Sequence, residues 1–101
     1  MTERGEVTAG VDIGTTSVKA VAVDGDGTVL ARARVPHDVV VTAPDRLEHR
    51  PDQAWRAGVL RALGELVAGL GAQAADGPPP RIEAVNVAAM VPSLCAVDAT
   101  G

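Results

Sequence analysis

The N-terminal third of the chain contains three apolar runs joined by very short polar segments. Residues 7–13 alternate apolar and polar side chains, which is the pattern of a strand with one buried face. Residues 17–24 are apolar on both faces, as in an interior strand, whereas residues 28–35 carry Arg32 and Arg34 on one face, as near a sheet edge. Connections this short join strands only as antiparallel neighbours, and Asp-Gly-Asp-Gly is a strong hairpin turn. The chain is therefore predicted to begin with an antiparallel three-stranded meander.

One helix and further strands are expected after the meander. Residues 36–51 are expected to be irregular because three prolines interrupt them. Residues 82–89 are predicted to form a buried strand, which a helical crossover makes parallel to an earlier strand. A further strand from residue 93 and a turn at 98–101 complete an α/β mixed sheet with the first strand near its centre. The helix is predicted over residues 52–70, where apolar side chains recur at helical spacing: Trp55, Val59, Leu60, Leu63, Leu66, Val67 and Leu70.

Charge and composition exclude several classes of partner. The net charge of −4 argues against bulk electrostatic binding to nucleic acid or to an anionic membrane surface. No apolar run approaches the roughly 18 residues of a membrane-spanning helix, and the N-terminus does not resemble a signal peptide. Cys95 is the single cysteine, so it forms no internal disulfide, and we expect an inert core thiol in a cytoplasmic protein.

The polar turn between the first two runs is the candidate site. Its sequence supplies Gly14, Thr15, Thr16 and Ser17, whose backbone N–H groups and hydroxyls suit an anion. Asp12 stands just before the turn; its carboxylate repels phosphate but can hold a divalent cation that bridges to phosphate. The pattern therefore predicts a cradle for ATP and Mg²⁺, with Asp12 on the metal. The plainer alternative is a polar turn in which Asp12 caps local N–H groups.

Three stretches resemble the FGGY family of carbohydrate kinases, which belongs to the actin-like, ribonuclease-H-like ATPase superfamily. GVDIGTTSVKAVAVDGDGTVLARARV resembles the family's phosphate-binding hairpin, which hexokinase-type kinases and heat-shock chaperones share. IEAVNVAAMVPSLCAVDATG is similar to a buried strand, a substrate loop and a strand ending in an Asp-x-x-Gly turn. Leu47 stands where the family usually has an aromatic residue. The segment APDRLEHRPDQAW matches the family's motif before its helix through Glu48, Pro51, Asp52 and Trp55.

The resemblance implies ATP- and Mg²⁺-dependent phosphorylation of a sugar or sugar-acid hydroxyl in a cleft between two domains. Residues 1–101 would be the N-terminal portion of an incomplete first domain of the ribonuclease-H-like fold. They would supply the phosphate hairpin at 7–35, the helix at 52–70 and the substrate-loop strands at 82–99. The general base and the second kinase domain would lie outside this chain, so no catalytic residue is assigned within it. The full-length enzyme is a candidate homodimer.

The substrate loop departs from the family's usual pattern. Met90, Val91, Pro92 and Ser93 stand where xylulose kinases usually carry Met-His-Gly and gluconate kinases carry Met-His-Ser. The side chains of Val91 and Pro92 cannot hydrogen-bond a sugar hydroxyl, as a histidine would. A xylulose-like substrate is favoured, bound through Ser93 and backbone groups; the alternative is a different sugar.

Two rival classes stay open at this stage. A hexokinase-type kinase usually reads Asp-x-Gly-Gly-Thr in its hairpin, whereas Thr15 follows Gly14 directly here. A chaperone-type ATPase lobe typically carries Asn where this chain has Ser17. The chain alone is also expected to be a fragment without catalysis of its own.

Several polar side chains near these motifs are assigned to the surface. Lys19, the only lysine, is expected to hold its ammonium group in solvent from the second strand. Glu48 and His49 are expected in a surface loop, although the family resemblance brings this neighbourhood near the sugar site. His37 has no recognisable partner in the sequence.

Overall fold

The computed structural model describes residues 6–74 and 77–101, and its centre is a four-stranded mixed sheet with strand order β3-β2-β1-β6. The elements are β1 (Glu6–Ile13), β2 (Ser17–Val23), β3 (Val29–Pro36), β4 (Val40–Ala43), β5 (Arg46–Glu48), a π-helical segment (Asp52–Ala57), α1 (Gly58–Gln73) and β6 (Arg81–Ala89). The predicted helix at 52–70 therefore continues to Gln73.

The predicted meander and its parallel partner are both confirmed. β1 pairs with β2 and β2 with β3 in antiparallel fashion, while β6 pairs with β1 in parallel. The β2–β3 turn is closed by Asp24, whose Oδ1 accepts hydrogen bonds from the backbone N–H groups of Asp26 (2.9 Å) and Thr28 (3.0 Å). Gly27 in this turn has φ of 82°, a conformation that favours glycine. β1 is an interior strand, as the sequence predicted.

The helix packs on the sheet through small residues. A Cβ on Gly58 would lie 3.1 Å from Cγ2 of Val18, so the helix backbone approaches β2 closely. Two predicted contact residues, Leu60 and Val67, are instead 65% and 59% exposed, because the buried stripe follows an i, i+4 row of other positions. Trp55 is half-buried. The buried positions of the helical segments are Ala54, Gly58, Ala62, Leu66 and Leu70.

The core lies between α1 and one face of β1, β2 and β3. It is entirely aliphatic, consistent with a chain that has no Phe or Tyr. The buried members of this cluster are Val7, Ala9, Val11, Val18, Ala20, Ala22, Ala33, Val35, Ala62, Leu66 and Leu70.

Three expectations are wrong. Residues 36–51 are not wholly irregular, because β4 and β5 form a short antiparallel ribbon. β6 is an exposed strand rather than a buried one, since α1 packs over β2 and β3 and leaves β6 uncovered. Residues 93–97 form no strand, because no described strand lies beyond β6 for them to pair with, and Cys95 is consequently exposed.

The turn at 98–101 is present, closed by a 3.1 Å hydrogen bond from Gly101 N–H to the Asp98 carbonyl. None of the described helices is long and apolar enough to span a membrane.

Candidate phosphate-binding site

The turn between β1 and β2 is closed by two backbone hydrogen bonds. Gly14 N–H donates to the Ser17 carbonyl at 2.9 Å, and the N–H of His37, just after β3, donates to the Thr16 carbonyl at 2.9 Å. A Cβ on Gly14 would lie 3.0 Å from the Ser17 carbonyl oxygen, so a side chain there would force the turn open. The glycine at position 14 and the buried Ser17 side chain therefore keep the turn tight.

The tip of this turn presents backbone donors to solvent. Thr15 and Thr16 are both exposed, and among the described residues no protein acceptor takes the N–H of either one. Unpaired amides on a tight turn can donate hydrogen bonds to phosphate oxygens. The local structure therefore suits an anion, and the assignment of ATP phosphates to this turn stays a prediction.

Asp12 lies at the carboxyl end of β1, beside the turn. Its Cα partners are Lys19 on β2 and Ala88 on β6, so the exposed carboxylate shares a sheet face with the Lys19 side chain. Asp12, Lys19 and Asn86 line one shallow recess on this face. Among the described residues Asp12 takes part in no ion pair. The carboxylate is thus free to accept a cation or the water bound to one.

The donor set around Asp12 fits magnesium better than a metal held by protein alone. The described residues contain no group of three or more His, Cys, Asp or Glu side chains that could hold a metal ion. Mg²⁺ is typically bound by one or two carboxylates, several waters and substrate phosphates. A single carboxylate beside a phosphate-binding turn satisfies that requirement.

The turn is also contacted from two distant parts of the chain. The Nε2 atom of His49 lies 2.7 Å from the Thr15 carbonyl oxygen, although the two residues are 34 positions apart. The Thr15 hydroxyl donates to the sulfur of Met90 at 2.9 Å. Sequence reasoning missed both contacts, and it assigned His49 to a surface loop. No local pattern could have revealed them, since only the sheet topology and the β5–helix connection bring these residues together.

The residues predicted for substrate lie beside those predicted for phosphate. β6 runs parallel to β1 with Ala89 opposite Ile13, so the segment after β6 emerges at the same sheet edge as the phosphate turn. Met90 is half-buried against Thr15, whereas Val91, Pro92 and Ser93 are exposed. The topology therefore joins two separately predicted sets of residues into one surface.

Other candidate residues lie elsewhere. Glu48 pairs with Arg46 at 3.6 Å on the β4–β5 ribbon and makes no contact with the turn. Trp55 lines a groove together with Cys95 and Val97, away from the turn. His37 is buried at 8% exposure with its ring edge-on to that of His49, the centroids 5.1 Å apart.

Comparisons with known proteins agree on one family. Residues 7–101 match the N-terminal domain of the FGGY family of carbohydrate kinases. A xylulose kinase structure from Rhodospirillum rubrum superposes with a TM-score of 0.78 at 32% identity, over 94% of this chain and 18% of that one. A gluconate kinase from Lactobacillus acidophilus gives 0.58 at 24% identity, over 83% of this chain and 15% of its own, which supports the fold alone. A glycerol kinase from Methylorubrum extorquens is 39% identical over 46 residues, or 46% of this chain and 9% of its own length.

Proposed function

This chain belongs to the FGGY family of carbohydrate kinases, as a mixed α/β domain of the actin-like ATPase fold, and on that premise we propose that it works in ATP-dependent phosphorylation of a sugar. The parent enzyme transfers the γ-phosphoryl group of MgATP to a hydroxyl of a xylulose-like sugar in the cytoplasm. Residues 7–35 supply the phosphate hairpin, and the loop after β6 supplies part of the sugar site.

One observation carries this proposal: the exposed amides of the turn, the free Asp12 carboxylate and the loop from Met90 share one edge of the sheet. Phosphoryl transfer depends on positioning and on neutralising charge rather than on covalent chemistry by the protein. Amides at Thr15 and Thr16 bind phosphate oxygens and fix their direction. Asp12 would hold Mg²⁺, directly or through a water bound to the ion, and the ion would supply neutralisation of the negative charge on the phosphates.

The acceptor sugar is assigned to the loop at 90–93. Ser93 offers a hydroxyl, and the carbonyls of Val91 and Pro92 accept hydrogen bonds, so polar contacts to a sugar come mostly from backbone. The relative named as a xylulose kinase, at 32% identity over nearly this whole chain, favours a xylulose-like ketose. The relative named as a glycerol kinase makes a polyol one alternative acceptor. A sugar acid is the other, from the family resemblance of the substrate-loop segment.

The chain spans about a fifth or less of the length of these relatives, so the whole cleft needs residues beyond this domain. We assign the general base and the second wall of the cleft to that remainder. Without the second domain, the site is open to water and the acceptor hydroxyl is not placed against the γ-phosphate of ATP. The isolated domain is therefore expected to be inactive.

The decisive experiment is a phosphorylation screen of the whole kinase that carries this domain. ADP release is followed with MgATP and a panel of ketoses, polyols and sugar acids, each with and without EDTA. We expect magnesium-dependent turnover that is fastest with a xylulose-like ketose. Faster turnover with gluconate or glycerol would correct the acceptor, and no turnover with any member of the panel would refute the kinase. The isolated 101-residue domain serves as the control without turnover.

A further inference from the structure

The Thr15 carbonyl is held by a side chain rather than by the hairpin. The two backbone bonds that close the turn use the carbonyls of Ser17 and Thr16, and the Thr15 carbonyl takes no part in either. Its partner is the imidazole of His49, whose Nε2 lies 2.7 Å from the oxygen. Because a carbonyl only accepts, Nε2 carries the hydrogen in this contact.

This contact determines where the next amide points. The Thr15–Thr16 peptide bond is trans, since the cis bond of the described chain is Val91–Pro92. In a planar trans peptide the C=O of one residue and the N–H of the next point in opposite directions. The histidine that fixes the Thr15 carbonyl therefore fixes the Thr16 N–H on the far side of the same plane. That N–H is one of the two exposed donors at the tip of the turn.

Hydrogen bonding also changes the strength of that donor. A peptide whose carbonyl accepts a hydrogen bond is polarised, and its N–H becomes a better donor to an anion. His49 therefore acts on the Thr16 amide in two ways, through the orientation of the peptide plane and through its polarity. It does so without reaching the anion itself.

The imidazole of His49 also packs against a second aromatic ring. The ring of His37 meets it edge-on, with centroids 5.1 Å apart and the planes at 82°. His37 is buried, and its own backbone N–H donates to the Thr16 carbonyl at 2.9 Å. Two histidines from different connections thus support the two consecutive carbonyls of Thr15 and Thr16. The turn is held in one conformation by groups that lie outside its own strand pair.

From this geometry we propose that His49 is a positioning residue for nucleotide binding, which orients the Thr16 amide toward the phosphates of MgATP. This inference rests on the proposed kinase function and assigns His49 a part in it. His49 contacts no phosphate; its effect passes through one peptide plane. The affinity for the nucleotide therefore depends on a donor at position 49 rather than on a histidine as such.

The test compares His49→Ala with His49→Gln in the whole kinase. Glutamine Nε2 is as many bonds from Cα as histidine Nε2, so it can donate to the Thr15 carbonyl, whereas alanine cannot. Arg50→Ala is the matched control, because Arg50 is the exposed neighbour, and within the described residues its side chain pairs with Asp38 alone, at 3.5 Å. Affinity for the magnesium complex of a non-hydrolysable ATP analogue is measured by calorimetry, and KM is measured separately for MgATP and for sugar.

We expect His49→Ala to weaken analogue binding and to raise KM for MgATP about five- to tenfold, the usual effect of losing one hydrogen bond at a binding site. His49→Gln and Arg50→Ala should stay within about twofold of wild type, and KM for sugar should stay unchanged in all three variants. The melting temperature should fall only slightly in His49→Ala, which loses one hydrogen bond.

Three outcomes would overturn the inference. His49→Ala with wild-type affinity removes His49 from nucleotide binding and leaves the kinase proposal intact. His49→Gln as weak as His49→Ala shows that donation is not what matters. A wild-type protein that binds no analogue refutes the nucleotide role of both hairpin and histidine. A wild type that binds the analogue but phosphorylates no acceptor refutes only the kinase proposal, and the affinity comparison still decides the role of His49.

Discussion

Strands β1 and β6 are neighbours with similar sequences and very different surroundings. They run parallel, with Val11 of β1 opposite Val87 of β6. Val11 is 3% exposed, whereas Val87 is 52% exposed. Both strands are rich in Val and Ala, so hydrophobic pattern alone does not distinguish them. The contrast shows that burial is decided by what covers a strand.

The cover of β1 comes from α1. The helix packs on β2 and β3 and extends over the same face of β1, where it closes the aliphatic core. β6 lies one strand further out, where Ile82 packs against the core but the rest of the described strand is exposed, and no described strand pairs with its outer edge. A strand in this position keeps its backbone pairing on one side only. Three strands of the sheet therefore bury one face in the core, whereas the fourth, β6, leaves most of that face exposed.

The largest effect is expected at the functional end of β1. Asp12→Ala in the whole kinase should lower kcat about a hundredfold or more, because the ion that neutralises the phosphates loses its protein ligand. The fold should be unchanged, since the carboxylate is exposed and takes part in no ion pair of the described residues. Asp26→Ala removes an exposed carboxylate at the opposite end of the hairpin and is the matched control. Turnover at saturating MgATP is the measurement. Wild-type turnover in Asp12→Ala would contradict the metal-binding role of Asp12 and favour the alternative that Asp12 caps local N–H groups of the turn.

The paired valines test the comparison directly. Val11→Ala should lower the free energy of unfolding by about 2 kcal/mol, from two buried methyl groups and the space they leave. Val87→Ala should cost about 1 kcal/mol or less, because half of that side chain is already exposed. Urea denaturation of the isolated domain measures both, and equal losses would mean that β6 is covered by something other than α1.

A smaller effect is expected on the association of the isolated domain. The uncovered face and free edge of β6 should drive self-association that rises with protein concentration. Val85→Lys, which charges a side chain that is 48% exposed on this strand, should reduce it. Val67→Lys is the control, since Val67 is 59% exposed on the helix and away from the sheet edge. Static light scattering over a dilution series is the measurement. A monomer at all concentrations would contradict this prediction.

The smallest effect concerns the turn at 98–101, which lies beyond the exposed strand β6 in the chain. The hydrogen bond from the Thr100 hydroxyl to Asp98 Oδ1, at 2.6 Å, is the main cause that lowers the pKa of Asp98 below its ordinary value of 3.8, with help from the Thr100 N–H. A lowered pKa means that ionised Asp98 stabilises the turn at pH above 3.8, and that this contribution disappears as the pH falls through the lower folded value.

Thr100→Val should therefore raise the pKa of Asp98 toward 3.8, and Thr100→Ser should leave it low, because serine keeps the hydroxyl. An NMR titration of the Asp98 carboxyl carbon measures both values. Equal values in the two variants would show that the hydroxyl is not the cause.

The sequence by itself determined the local elements and much of the order of the sheet. Alternation and short polar turns determined the meander of β1, β2 and β3, because connections of three and five residues permit only antiparallel neighbours. A helix between strands required the parallel pairing of β6. The turn from Gly14 to Ser17 was likewise readable, because glycine and hydroxyl residues at a strand end have few other structural explanations.

Only the tertiary structure decided which surfaces are covered and which distant groups meet. Leu60 and Val87 are apolar residues in regular periodic patterns, yet both are exposed, since the helix turns a different row of residues toward the sheet and packs mainly over β2 and β3. His49 reaches the Thr15 carbonyl across 34 residues, a contact that no periodicity encodes. Local pattern specifies which face of an element is apolar, because it acts within a few residues. Which face is buried, and which side chain holds a turn, depends on long-range packing that a pattern within one element does not specify.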